Sequence, residues 1–233
     1  MILYDKEYFH GLEKAYGTEI PRNMRNVLLI EKYATVGSSR IVLDVGVGTG
    51  LFIRLMKDRG WIMHGTDISE YALNNVQKQF GVSVFYGGLS SMDQLPIYDA
   101  INMRHSIEHM TDPLKELLCA FKLLKNHGVL CVSTPNCHGI HAYVYGKRWP
   151  HWSPPYHLNF YSKKSLNALV RQAGFTILRY GTEELSIHDP LRYFLDIIGF
   201  PVDYKVPPIS RLIDNTLAKV GLGEGLILIA KKT

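Results

Sequence analysis

Three cysteines in 233 residues, Cys119, Cys131 and Cys137, form no C-x-x-C pair and leave an odd count. That pattern argues against a disulfide framework or a cysteine zinc site and points to a reducing, cytoplasmic setting. No apolar run approaches the roughly 20 residues that span a bilayer. The opening Met1-Ile2-Leu3-Tyr4-Asp5-Lys6-Glu7 is charged too early to read as a signal peptide. The net charge of +5 is dispersed, with no basic run interleaved with aromatics, so nucleic acid is not the expected partner. Repeats and low-complexity stretches are absent too. With 46% hydrophobic and 20% charged residues, the chain has the composition of one folded domain spanning 1–233.

Against that ordinary background one octet stands out, Leu43-Asp44-Val45-Gly46-Val47-Gly48-Thr49-Gly50. A hydrophobic strand ends in a carboxylate and then in three alternating glycines. A turn of that kind can fold tightly beneath a ligand and present backbone N–H groups to it. Asp44 would repel a pyrophosphate and attract a cationic amine, which favours an amine-bearing nucleoside. A dinucleotide fingerprint would need G-x-G-x-x-G, and its third glycine falls on Leu51.

Short apolar segments alternate with helix-period segments, predicting a parallel sheet covered by helices. Strands are expected at 40–45, 61–66, 82–86, 100–103, 129–133, 175–180 and 226–230. Ser69, Asp112 before Pro113, and Ser162 are helix N-caps. The stripe Leu114, Leu117, Leu118, Phe121 and Leu124 predicts a helix that runs until Gly128. Residues 1–39 are expected to form a helical lid bearing Tyr4, Tyr8, Phe9, His10 and Tyr16. Residues 184–224 are expected to insert two amphipathic helices before the last strand. Such helices usually bury their apolar face in their own protein, so membrane contact through 184–224 is the weaker reading. Nothing in the pattern selects an oligomeric state.

The acid before the glycine turn, a second acid in Gly65-Thr66-Asp67-Ile68-Ser69, and the ordered segments Tyr98-Asp99-Ala100-Ile101, Ser106-Ile107-Glu108-His109, Leu123 to Leu130 and Ser133-Thr134-Pro135-Asn136 resemble class I S-adenosylmethionine-dependent methyltransferases. The resemblance spans roughly residues 40 to 180. It implies a Rossmann-like α/β fold whose seven-stranded sheet is mostly parallel, with an antiparallel final strand and helices on both faces. It implies S-adenosyl-L-methionine as cofactor and S-adenosyl-L-homocysteine as product. Gly46, Gly48, Thr49 and Gly50 would pass beneath the ribose and amino-acid tail, with Asp44 near the tail ammonium. Asp67 would accept the ribose hydroxyls, Ile68 would flank the adenine, and Gly88 and Leu89 would cover its other side. Met103 and Arg104 would line the tail. The family often carries an acid where Gly88 stands, which leaves the adenine amino group to backbone or to Ser90.

His105-Ser106-Ile107-Glu108-His109 also matches H-x-x-E-H, an inverted zinc-peptidase pattern, but the stretch between strand and Pro113 is too short for a long active-site helix. It resembles the E-H element of the ubiquinone-biosynthesis O-methyltransferases, some of which have an acid in place of His105 and use a divalent metal. The histidine here leads to an expectation of no metal. The stretch Tyr143 to Tyr161 is dense in aromatics and prolines, and related enzymes carry a similar stretch ending in a histidine and an aromatic, matching His157 and Tyr161. His157, and secondarily His109, are the candidate general bases, for a small-molecule, sugar or lipid-linked hydroxyl acceptor. A noncatalytic nucleoside-binding protein on the same fold and an NAD-dependent oxidoreductase are the alternatives.

Overall fold

The computed structural model describes residues 16–34, 40–92, 97–183, 216, 218–219 and 221–233. Helix α1 (Tyr16–Tyr33) precedes β1 (Ile41–Val45), α2 (Leu51–Lys57), β2 (Ile62–Asp67), α3 (Glu70–Phe80), β3 (Ser83–Tyr86) and β4 (Tyr98–Arg104). Then come α4 (Pro113–Leu123), β5 (Leu124–Pro135), α5 (Ile140–Tyr145), α6 (Lys163–Gln172), β6 (Thr176–Glu183) and β7 (Gly225–Lys231). Of the sequence expectations, most of the lid at 1–15 and 35–39 and the inserted helices at 184–215 lie outside the described residues.

Among the described residues seven strands form one sheet in the order β3-β2-β1-β4-β5-β7-β6. The pairs joining β3, β2, β1, β4 and β5 are parallel, and β7 runs antiparallel to both β5 and β6. This is the Rossmann-like methyltransferase sheet that the motifs implied. Alternation along each strand builds a core on both faces. Val42, Ala100, Val129 and Cys131 pack with Val27 and Ile30 of α1 and with Phe52, Ile53 and Val76 of α2 and α3. Leu43, Ile101, Met103, Leu130 and Val132 pack with Leu117 of α4 and Leu166 of α6 on the other side.

The caps hold at all three expected positions. Backbone N–H groups of Ala72, Lys115 and Ser165 donate to the side chains of Ser69, Asp112 and Ser162. One boundary differs. Helix α4 stops at Leu123, and Leu124 is already extended (φ −74°, ψ 139°). Leu124 pairs with Tyr98 while Val129 pairs with Ala100, so the intervening residues bulge out of the ladder. Burying Leu124 in the second core and pairing Lys125 with Asp99 at 2.9 Å favours the strand over another helical turn. Gly128 therefore sits inside β5 rather than at a helix end.

Candidate active site

The carboxyl ends of β1, β2 and β4 open into a cavity of about 680 Å³. Its floor is the glycine turn. Gly46, Gly48 and Gly50 all adopt positive φ (80°, 52° and 76°), a conformation costly for any side chain bearing a Cβ. Gly46, Gly48 and Thr49 line the cavity. Gly50 instead ends the turn against α3, where a Cβ would lie 2.7 Å from the Phe80 ring.

Strand alternation decides which expected residues face the ligand. Asp44, Asn102 and Arg104 share one face and line the cavity. Met103 lies one residue out of phase and is fully buried in the opposite core, and Leu89 is likewise wholly buried. Neither belongs to the cavity lining. Asp44 is 3% exposed and accepts a hydrogen bond from Asn102 Nδ2 at 2.8 Å. Asn102 in turn accepts from Asn26 of α1, and Asn26 accepts from Ser133. Burial pushes the Asp44 carboxyl up to about 7, against the pull of the Asn102 hydrogen bond. Asp67 accepts from the N–H groups of Gly48 (3.1 Å) and Ser69 (2.9 Å), and burial raises its pKa despite them. Ile68 lines the same cavity and is 57% exposed.

Arg104 is held between two acids, Glu19 of α1 at 3.3 Å and Glu183 of β6 at 3.2 Å. Glu19, Arg22 and Asn23 make α1 one wall of the cavity.

Histidines line the same cavity: His105, His109, His151 and His157. Residues Ile107–His109 form a single tight turn, with His105 in a left-handed conformation (φ 48°) before it. His105 Nδ1 donates to Glu108 Oε1 at 3.1 Å, so this segment lacks the helical pairing that a zinc peptidase requires. Glu108 is buried, and Thr134 donates to its other oxygen at 2.9 Å. Burial raises the Glu108 pKa, but the His105 hydrogen bond and the nearby imidazoles outweigh it and bring the carboxyl down to about 2. The aromatic stretch is stitched onto this turn: Leu158 and Asn159 N–H groups donate to the Glu108 carbonyl, and Asn159 Nδ2 donates to the Met110 carbonyl. His157 is thereby brought edge-on to His109, with ring centroids 4.8 Å apart.

The tautomers follow from the partners. His109 Nδ1 lies 2.8 Å from the Tyr156 carbonyl, and His157 Nδ1 lies 2.8 Å from the His151 carbonyl. A carbonyl can only accept, so both Nδ1 atoms carry hydrogen, and the neutral form of either ring has its lone pair on Nε2. Burial lowers the His157 pKa, and the Glu108 charge only partly offsets it. That leaves a neutral imidazole beside the cavity. Trp152 packs on Phe160 with centroids 4.5 Å apart and is absent from the cavity lining, so its role is to stiffen the loop.

A family model described as a methyltransferase domain matches residues 10–180. The chain belongs to this methyltransferase-domain family. The family's cofactor is S-adenosyl-L-methionine, and the fold agrees. Over 151 residues the chain is 29% identical to ubiquinone biosynthesis O-methyltransferase of Pseudomonas fluorescens (strain SBW25), covering 58% of this chain and 64% of that protein. It thus spans less than two thirds of that relative's length. A solved S-adenosylmethionine-dependent methyltransferase from Thermotoga maritima, described as a possible histamine N-methyltransferase, superposes with TM-score 0.67 at 20% identity over 97% of each chain. One from Archaeoglobus fulgidus gives TM-score 0.67 at 20% identity, covering 98% of this chain and 100% of that one.

Two features of this methyltransferase domain escape the motifs. Asn102 holds Asp44, and its signal is a polar residue inside an otherwise apolar buried strand. Glu116 lines the cavity from α4, and its signal is a carboxylate on the inward stripe between Pro113 and Ala120. For a metal, Glu108, His109 and His157 offer ligand atoms within 4.8 Å of one another. Each Glu108 oxygen already accepts one hydrogen bond, from His105 or from Thr134, and keeps a second lone pair. Among the described residues no helix is long and apolar enough to cross a membrane.

Proposed function

We propose that this protein methylates a hydroxyl oxygen of a small acceptor, a metabolite, sugar or lipid-linked intermediate, using S-adenosyl-L-methionine. The observation that carries the reading is His157 in the same cavity lining as the glycine turn, with Nδ1 bonded to the His151 carbonyl so that Nε2 holds the lone pair of the neutral ring.

The donor side fits the cofactor. A buried carboxylate bonded only to a neutral amide, as Asp44 is, gains most from a cation, and the methionine tail brings an ammonium. Asp67 keeps carboxylate lone pairs for the ribose hydroxyls, and Ile68 supplies an apolar face for the base. When bound, the sulfonium supplies an already activated methyl group. The protein then has to align the acceptor oxygen and exclude water, which is where most of the rate arises. His157 takes the hydroxyl proton onto Nε2, its ring fixed by the His151 carbonyl, and His109 is the secondary candidate.

Incubating the protein with labelled donor and metabolite extracts would identify the acceptor. His157→Ala should then lower kcat about 100-fold or more, with adenosylhomocysteine affinity within about twofold of wild type. Unchanged turnover would remove His157 as base, and a label found on nitrogen or carbon would overturn O-methylation.

A further inference from the structure

The Glu116 carboxyl is a buried acid that the proposed chemistry leaves unused. It is 9% exposed, rises from the first turn of α4, and lines the cavity. The Leu89 N–H donates to Oε2 at 2.6 Å, and the Ser90 N–H lies 3.4 Å from each oxygen. No guanidinium or ammonium appears among these partners. Each carboxylate oxygen has two lone pairs, so the two N–H groups leave acceptor capacity toward the cavity.

The carboxylate sits where only glycine permits it. A Cβ on Gly88 would lie 2.8 Å from Oε2. Gly88 also fixes the location relative to Asp67, because Asp67 pairs with Tyr86 across the β2–β3 ladder and its carbonyl accepts from the Gly87 N–H at 2.9 Å. Asp67, Gly87, Gly88 and Glu116 line one cavity, so a base attached to a ribose held by Asp67 would have Gly87, Gly88 and Glu116 as neighbours. Adenine presents an amino group on its outer edge, a donor. An ionised carboxylate only accepts, so it suits that amine and opposes a carbonyl at the same position.

We propose that Glu116 determines base specificity by accepting a hydrogen bond from the exocyclic amino group of the adenine. The proposal rests on reading the cavity as the S-adenosylmethionine site. It makes Ser90 a neighbour of the acceptor and replaces a local acid with one delivered from a helix.

Calorimetric titration with S-adenosylhomocysteine and with S-inosylhomocysteine, which carries a carbonyl in place of the amine, tests it. Wild type should prefer the amine by about 10- to 100-fold, the range for a hydrogen bond to a charged group. In Glu116→Gln the amide can keep the Leu89 contact through its oxygen and turn its NH₂ to the ligand, so the preference should fall below about threefold or invert. Gly88→Ala should do the same by pushing the carboxylate aside, and it serves if the first variant fails to fold. An undiminished amine preference in either folded variant overturns the proposal. Equal wild-type affinity for both nucleosides overturns it while leaving the cofactor reading intact. No binding of either one defeats the cofactor reading and this proposal together.

Discussion

Asp44→Asn should make the ligand-free protein more stable while weakening its hold on the cofactor. Asp44 is wholly buried, and its pKa of about 7 stands against an ordinary 3.8. Between about pH 4 and pH 7 the unfolded chain ionises this group while the fold keeps it protonated, so folding stability falls as pH rises. At about 1.4 kcal/mol per pH unit the full cost approaches 4 kcal/mol above pH 7. The amide removes that cost but must reorient against Asn102 Nδ2, so a net gain of about 2–3 kcal/mol is expected near pH 8. For a chain of this length that is about 5–10 °C in Tm. The gain should shrink as pH falls and be nearly gone at about pH 4.

Binding moves the other way. Without the carboxylate the tail ammonium loses a charge-assisted partner, and Kd for adenosylhomocysteine should rise about 10- to 100-fold. In wild type the affinity should itself drop below about pH 7, because binding must then expel a proton from Asp44. Thermal unfolding of the apo protein across pH, with calorimetry at the same pH values, reads both effects. A variant less stable than wild type at about pH 8, a gain that does not vary with pH, or an unchanged Kd would each refute the reasoning.

Asp67→Asn keeps the shape but cannot accept from both Gly48 and Ser69 N–H groups; adenosylhomocysteine affinity should fall about 10-fold or more by calorimetry. Gly50→Ala places a methyl against Phe80 in a left-handed turn, and should cost about 1–3 kcal/mol in denaturant unfolding. With His105 in place of the acid that accompanies a divalent metal in some related enzymes, chelation should leave turnover unchanged, and activity lost to a chelator and restored by magnesium would contradict that.

That Asp44, the glycine turn and Asp67 share one cavity was legible because the geometry that joins them is local. Asp44, the glycine turn and Asp67 lie within one strand-turn-helix-strand unit, where the positive-φ turn and the strand ends fix the geometry whatever packs around them. Met103 was misread for a reason equally local. A strand end offers both a cavity face and a core face, and the alternation that sends Asn102 and Arg104 to one sends Met103 to the other. The Gly128 stop failed because tertiary burial of Leu124 outweighed a helix-period stripe.

The acceptor half depends on contacts between segments far apart in sequence, and there only residue types could be read. His109 and His157 were chosen as two histidines in two motifs, with no pattern to say that they touch. What joins them is backbone: the Glu108 carbonyl accepts two N–H groups from the aromatic stretch, and the Tyr156 and His151 carbonyls fix the two imidazole tautomers. Side-chain identity thus sets which groups are present, while main-chain geometry sets which nitrogen of each ring is left without a carbonyl partner. Replacing His151 should consequently spare the His157 tautomer, because the carbonyl persists, whereas His157→Pro would remove the imidazole together with the N–H that donates to the Ser153 carbonyl.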